Sequence, residues 1–322
     1  MKIILIGGSG FIGNKLAKKL IEKNFNILIL DKNKPSSFAE YFRFFDVSNK
    51  DSFQEDLFES NDIIINLAAV HKDNEEKHTY ELVNVDGSKN ICNLAEKKNI
   101  KHIIFISSVA VYGFAKENTD ENGRINPFNE YGKSKAKAEK VFLDWREALK
   151  DSRKLCIIRP TVVFGPGNRG NVFNLINQIV RNRFLMIGDG KNIKSLAYVD
   201  NLVEFILFML SRNEKKEIFN YADKPDLDMN GLISLIKEKT NKKSFINIRI
   251  PRFFIPLVGH SFDLISKVIS KELSISYIRL RKFVETTMFS SSFEKIGFKA
   301  PYSIQEGLNK TLEKDFSEHL KN

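Results

Sequence analysis

Tyr131 and Lys135 stand four residues apart in the run Tyr131-Gly132-Lys133-Ser134-Lys135, a spacing that puts both side chains on one face of a helix. The chemistry such a pair offers is proton transfer. A phenol has a reference pKa of about 10 and is a poor base at neutral pH. A nearby ammonium stabilises the phenolate, so Lys135 is expected to lower the Tyr131 pKa and make it a usable acid/base. The spacing alone proves little: with 8 tyrosines and 38 lysines in 322 residues, about one such pair arises by chance. Tyr112 with Lys116 is a second instance, but residues 116–123 are polar and show no helical pattern. Tyr131 and Lys135 instead head an amphipathic run carrying Ala138, Val141, Phe142 and Trp145. A surface tyrosine beside a solvated lysine is the bland alternative.

Two further groups have chemistry. Ser107 and Ser108 end an apolar run, where a hydroxyl can hydrogen-bond a substrate oxygen while Tyr131 moves a proton. Strand-end serines are common, and alone they decide nothing. Residues 6–13 read Ile-Gly-Gly-Ser-Gly-Phe-Ile-Gly, with Gly7, Gly10 and Gly13 between an apolar run and an amphipathic one. A tight turn needs glycine, close approach of a pyrophosphate forbids a Cβ, and a helix N-terminus offers unpaired N–H groups. Asp31 follows the second apolar run, 18 residues beyond Gly13. A carboxylate there accepts from the ribose hydroxyls of NAD and repels the extra phosphate of NADP, which predicts NAD; a plain strand-end turn is the alternative.

These groups need a frame. Residues 2–6 form a wholly apolar run, as expected of a strand buried on both faces. Similar runs recur at 26–30, 42–47, 62–67, 101–107 and 154–159, with helices predicted at about 51–59, 80–98 and 131–150. Strands alternating with helices at this spacing imply a doubly wound parallel α/β sheet. We place this sheet domain at residues 1–165 and a smaller mixed α/β lobe at 166–322, with some of its segments returning to the sheet. A helix is predicted at about 171–182, and Arg279 and Arg281 alternate with Leu280 in an expected strand.

Composition excludes several classes. Apolar residues at 42% and charged residues at 28% argue against wholesale disorder. Two cysteines, Cys92 and Cys156, argue against a disulfide framework, and five scattered histidines lack zinc spacing. The most membrane-like run, 202–210, is nine residues interrupted by Glu204, too short to span a bilayer, so a cytoplasmic protein is expected. Net charge is +11, and residues 161–322 carry 25 basic against 17 acidic groups. That bias suits a phosphorylated ligand or a solvated surface; no nucleic-acid module accompanies it. Residues 251–270 are apolar with basic flanks, read as a core helix or dimer contact ahead of a membrane-surface segment.

The chain resembles an extended short-chain dehydrogenase/reductase of the nucleotide-sugar epimerase/dehydratase family. The resemblance rests on residues 7–13, Asp46-Val47, Asn66-Leu67-Ala68-Ala69, residues 107–113, Tyr131 to Lys135, Arg159-Pro160 with Gly165-Pro166-Gly167, and Tyr198-Val199-Asp200. It implies that Ser108 polarises a sugar oxygen, Tyr131 is the acid/base and Lys135 holds the nicotinamide ribose. Gly7, Gly10, Phe11, Ile12, Gly13 and Asp31 would cradle NAD, Asp46 and Val47 would lie along the adenine, and Leu67, Ala68 and Ala69 would line the cleft. The second lobe would bind a UDP-sugar through Asn171, Lys194 and Arg279, although a plain N-cap is an equal reading of Asn171. Family habit suggests a homodimer.

Departures narrow the activity. Dehydratases of this family follow the catalytic Ser/Thr with Asp-Glu, whereas Ser108 is followed by Val109-Ala110. Val162 replaces a substrate-contacting asparagine, and Lys194 replaces a phosphate-binding arginine, keeping charge but losing the bidentate fork. Both changes depart from the standard hexose 4-epimerase pattern and resemble a branch found in polysaccharide gene clusters that includes reductases of 4-keto sugars. The resemblance as a whole implies a UDP-sugar 4-epimerase of cell-surface polysaccharide synthesis, with an NAD(P)H-dependent reductase of a UDP-4-keto-6-deoxy sugar as the alternative. A non-catalytic dinucleotide-binding regulator would predict a broken triad, and Ser108, Tyr131 and Lys135 are all present.

Overall fold

Short runs that are apolar on both faces cannot leave either face to water, so they become the inner strands of a covered parallel sheet. The computed structural model describes residues 1–320 except 72–74, 213, 215, 241–248, 254–280 and 282–283. Its first half runs β1 (Ile3–Ile6), α1 (Phe11–Glu22), β2 (Ile27–Asp31), β3 (Phe42–Phe44), β4 (Ile63–Asn66), α2 (Lys77–Tyr80), α3 (Gly87–Lys97), β5 (His102–Ile106), α4 (Glu130–Ala148) and β6 (Lys154–Pro160). The second half adds β7 (Val162–Phe164), α5 (Asn171–Val180), β8 (Met186–Ile187), β9 (Ile193–Tyr198), α6 (Val199–Leu210), β10 (Lys216–Tyr221), β11 (Asp223–Asp228), α7 (Met229–Lys239), β12 (Arg249–Ile250) and α8 (Ile304–Asp315).

The main sheet has seven parallel strands in the order β10-β6-β5-β4-β1-β2-β3. The doubly wound α/β architecture expected from the alternation is therefore present. Strand order runs outward in opposite directions from β1 and β4, so a crevice opens between their carboxyl ends. On one face, Leu16, Ala17 and Leu20 of α1 pack with Phe205 and Ile206 of α6; on the other, Ile91, Leu94 and Ala95 of α3 pack with Ala138, Phe142 and Trp145 of α4. The smaller lobe is built on a three-stranded sheet, β11-β9-β7, and a two-stranded one, β12-β8. Strand β10, which follows β9 in the chain, pairs with β6 in the main sheet.

Three expected elements differ in whole or in part. Residues 51–59 form short 3-10 turns, Lys50–Ser52 and Glu55–Leu57, rather than an α-helix. The Ser52 hydroxyl accepts from the Asp46 N–H at 2.9 Å and donates to the Asn49 carbonyl at 2.7 Å, while Phe53 and Phe58 turn inward onto Phe45. Side-chain to backbone bonds of this kind compete with helix propagation. The run 42–47 stays extended only to Phe44, because Asp46 folds back to accept from the Ser48 N–H and hydroxyl. The predicted helix over 80–98 is present but widens into a π turn at Glu81–Asp86.

No helix among the described residues is long and apolar enough to cross a membrane. Most of the apolar stretch 251–270 lies outside the described residues.

Asp223, at the junction of the two sheets, is 1% exposed and accepts from the Tyr198 N–H, the Asn201 amide and the Tyr221 hydroxyl. Burial raises its pKa from 3.8 to about 6 against the opposing pull of those three donors. The unfolded chain ionises this carboxyl first, so its contribution to stability is full below pH 4 and is lost as pH rises through 6. Melting curves should show that this contribution, up to about 3 kcal/mol, disappears from the pH 4–7 profile of Asp223→Asn.

Candidate active site

The glycine turn sits at the crevice because β1 ends there. The Gly7 N–H donates to the Leu30 carbonyl at 2.7 Å, and the Leu67 N–H donates to the Ile6 carbonyl at 2.8 Å, so the loops after β1, β2 and β4 meet. Gly7 holds φ +78°, and a Cβ there would lie 2.4 Å from the Ala68 nitrogen. Gly10 precedes α1 with no side-chain cap and no acidic residue in the first turn, leaving the helix's N–H groups and positive end facing the crevice. A Cβ on Gly10 would meet only the Gly7 carbonyl, at 3.3 Å, so the space over the turn is open. Phe11 and Ile12 are half-buried beside it and Gly13 is buried.

Asp31 lies at the end of β2, its carboxylate accepting from the Ser9 N–H at 3.1 Å and the Asn33 N–H at 2.9 Å. Asp46 is half-buried, Val47 is buried against Gly87, and Leu67, Ala68 and Ala69 are half-buried in the loop after β4. Among the described residues, the buried Ser9 Oγ and Asn14 Oδ1, both of the glycine turn and first helical turn, lack a hydrogen-bond partner. A phosphate-bearing dinucleotide fits this set: open space over a glycine, an uncapped helix start, an orphan hydroxyl and a ribose-level carboxylate. No group of three or more His, Cys, Asp or Glu among the described residues is placed to hold a metal ion.

On the other side of the crevice, Asn129 caps α4 by accepting from the Gly132 N–H at 2.9 Å, which fixes where the helix starts. Tyr131 lies in the first turn, where its phenol interacts with the Ser108 side chain. Ser108 itself caps the 3-10 turn Val109–Tyr112, its Oγ accepting from the Ala110 N–H at 3.1 Å. Lys135 is buried one turn further on, with Nζ donating to the Ile106 carbonyl at 2.6 Å and standing 4.1 Å from the centre of the Phe105 ring.

The electrostatics depart from the expected pattern. Burial pushes the Tyr131 phenol up to about 12, with the Ser108 hydrogen bond pulling the other way and Tyr80 adding to the rise. Lys135 is not among the groups that lower it; its amine faces Ile106. Burial also brings Lys135 down to about 7, opposed by the Glu139 carboxylate. Desolvation thus outweighs pair attraction at both groups, and the resting phenol holds its proton.

The substrate-side residues are only partly gathered. Asn171 is exposed as the first residue of α5, and the cap position belongs to Gly170, so the N-cap reading does not hold. The Lys194 ammonium donates to the Glu285 carbonyl at 2.6 Å. Arg279 lies outside the described residues. Arg281 is helical rather than in a strand, with the Glu285 N–H bonding to its carbonyl at 3.0 Å. Its guanidinium covers the Phe114 ring at 4.5 Å beside a cavity of about 160 Å³ lined by Lys116, Glu285 and Thr287.

Tyr112, the competing tyrosine, is buried and hydrogen-bonded to Asn220 at 2.8 Å. Sequence reasoning missed Asn84, whose amide links the loop after β4 to Ser134 of α4, and Glu139, buried one turn beyond Lys135. A carboxylate in line with Tyr131 and Lys135 at steps of four was the available signal for Glu139.

Gly7 and Gly10 serve different ends, which two alanine variants separate. Gly7→Ala drives a Cβ into backbone at positive φ and should cost on the order of 3 kcal/mol or more of folding stability. Gly10→Ala should leave the melting temperature near wild type and weaken NAD binding about tenfold or more. Thermal melts and dinucleotide titration of both variants check this.

Residues 3–222 match the NAD dependent epimerase/dehydratase family. The chain is 42% identical over 322 residues, 98% of its length and 95% of the relative's, to N-acetyl-alpha-D-glucosaminyl-diphospho-ditrans,octacis-undecaprenol 4-epimerase of Escherichia coli O157:H7. It is 31% identical over 254 residues, 74% of its length and 82% of the relative's, to a putative UDP-glucose 4-epimerase of Methanocaldococcus jannaschii. Its fold superposes with a TM-score of 0.75 on UDP-glucuronic acid 4-epimerase from Bacillus cereus in complex with UDP-glucuronic acid and NAD, at 18% identity and covering 97% of this chain and 98% of that one. With its glycine turn, Asp31 and the tyrosine–serine pair assembled at one crevice, the chain belongs to the NAD dependent epimerase/dehydratase family, and its cofactor is NAD.

Proposed function

We propose that this protein is a 4-epimerase acting on a sugar joined to a diphosphate, in the construction of cell-surface polysaccharide. The observation that carries this reading is the 42% identity over 98% of the chain to a 4-epimerase of a diphosphate-linked N-acetylglucosamine, and Ser108 beside Tyr131 at the edge of the dinucleotide crevice supports it. Bound there, NAD supplies a two-electron acceptor and donor for the sugar carbon. Gly10, Phe11 and Ile12 would hold its pyrophosphate, with Gly7 and Gly13 allowing the close backbone approaches that shape the turn; Asp31 would hold its adenosine ribose, Asp46, Val47, Leu67, Ala68 and Ala69 would form the cleft walls, and Lys135 would hold the nicotinamide ribose.

Tyr131 takes the proton of the C4 hydroxyl and later returns it, while Ser108 hydrogen-bonds the same oxygen and holds the 4-keto group in line. The phenol's high resting pKa means that positive charge entering the cleft must draw it down before it serves as base. Lys194 and Asn171 bind the diphosphate side. Val109-Ala110 in place of an Asp-Glu pair supports epimerisation over dehydration.

The carrier is read first as a polyprenol, with N-acetylglucosamine as the sugar. The 42% identity over 98% of the chain supports this. A UDP-sugar is the second reading, favoured by the relative at 31% identity.

The purified protein should convert a polyprenyl-diphospho-N-acetylglucosamine to its C4 epimer with no net use of NAD, as read by sugar analysis of the product. Conversion of UDP-sugars alone would favour the second reading, and stoichiometric loss of NADH with a 4-keto sugar would put a reductase in its place. Tyr131→Phe should lower kcat about 10²–10⁴-fold while leaving the melting temperature unchanged; full turnover by that variant would contradict the assignment.

A further inference from the structure

Strand β5 stops at Ile106, so the residues after it need other anchors. The Ser107 N–H donates to the Ile158 carbonyl at 2.7 Å, and its hydroxyl donates to Glu139 Oε1 at 2.5 Å. Ser108 comes next, and the 3-10 turn that it caps closes at Tyr112. The Tyr112 hydroxyl accepts from Arg159 Nη1 at 2.5 Å, and its ring centre lies 5.0 Å from the guanidinium carbon. Arg159 of β6 in turn grips Glu139, donating Nε to Oε1 at 2.9 Å and Nη2 to Oε2 at 2.7 Å. Ser108 is therefore bracketed: the residue before it and the turn after it both end on one ion pair.

Glu139 belongs to α4, two turns beyond Tyr131 on the same stripe. The pair that brackets Ser108 thus also holds the helix that carries Tyr131. Lys135, between them, bonds to the Ile106 carbonyl, so α4 has two attachments to one strand end. A bidentate guanidinium–carboxylate pair fixes angle as well as distance. With Glu139 3% and Arg159 4% exposed, the pair is a weak source of stability, because desolvating both charges offsets most of their attraction. What it supplies is geometry. Proton transfer between a phenol and a sugar hydroxyl depends on that, since a misplacement of about 1 Å can cost on the order of 10²-fold in rate.

We propose that Glu139 and Arg159 are positioning residues: their bidentate pair locks the Ser108 turn to α4 and so holds Ser108 and Tyr131 in register about the reacting oxygen. The proposal rests on the epimerase reading for its effect on rate, whereas the locking itself is read without substrate.

The test combines Glu139→Leu with Arg159→Met in the NAD-loaded protein, removing both charges at similar volume so that neither is left buried alone. The melting temperature should stay near wild type or rise, kcat should fall about 10–100-fold, and KM for the sugar diphosphate should change little. A pair that served stability alone would leave kcat untouched in such a folded variant. The Tyr131 ring carbon that bears the hydroxyl, followed by 13C NMR in tyrosine-labelled protein and assigned with Tyr131→Phe, should move toward its position in Ser108→Ala. Should the double variant fail to fold, Arg159→Lys keeps the charge but loses the fork, and should show the same kcat and NMR changes in smaller measure. Wild-type kcat in a folded variant overturns the proposal, as does an unmoved Tyr131 resonance or a loss carried by KM alone. If the wild-type protein turns over none of the sugar diphosphates, the epimerase reading fails, and the Tyr131 resonance alone decides whether the pair locks the two groups.

Discussion

The bond from the Lys135 ammonium to the Ile106 carbonyl fixes how α4 lies on the sheet, and the candidate site follows from it. A buried amine that loses its acceptor is costly, so sliding or rotating the helix away from Ile106 is penalised. With Lys135 anchored at the end of β5, Tyr131 one turn earlier must stand over Ser108, and Glu139 one turn later must meet Arg159 of β6. Three positions on one helical stripe thereby reach a strand-end hydroxyl, a strand-end carbonyl and a neighbouring strand's guanidinium. The same burial sets the electrostatics, holding the phenol protonated and the amine near neutrality.

The opposite wall of the crevice is governed by sterics. Gly7 at positive φ lets the turn after β1 touch the Ala68 backbone, which closes the gap between the two halves of the sheet and points the start of α1 at the opening. Nothing on the described protein caps that helix start, and Ser9 Oγ beside it is buried without a partner. A packed interior normally satisfies such groups, so their survival here is best understood as preparation for an anionic ligand. Asp31 sits at the far rim, already oriented by two backbone N–H groups.

Much of this was legible in the residues. Apolar runs bounded by turn residues marked six of the seven strands of the main sheet, all but β10, since a strand buried on both faces has little choice of composition. The glycine spacing, Asp31 and the Tyr131–Lys135 pair could be read because each is a local pattern with a local physical cause. What stayed hidden depends on contacts distant in sequence. Residues 51–59 have helical spacing, yet the Ser52 hydroxyl bonds back to Asp46 and Asn49 and breaks the helix into turns. The direction of the pKa shift at Tyr131 turned on how deeply the phenol is enclosed, which no spacing reveals. Arg281 alternates with Leu280 like a strand residue but lies in a helical turn. Glu139 resembles any helical carboxylate until β6 brings Arg159 beside it.

The central claim is that a carbon-bound hydrogen leaves C4 of the sugar and returns to the opposite face inside a closed site, with Tyr131 handling only the hydroxyl proton. The most direct measurement is the fate of deuterium placed at C4 of a diphosphate-linked N-acetylglucosamine, followed by mass spectrometry through complete turnover in ordinary water. The account predicts that the epimeric product keeps the label at C4. Loss of the label to solvent, or inversion at another carbon, would contradict it.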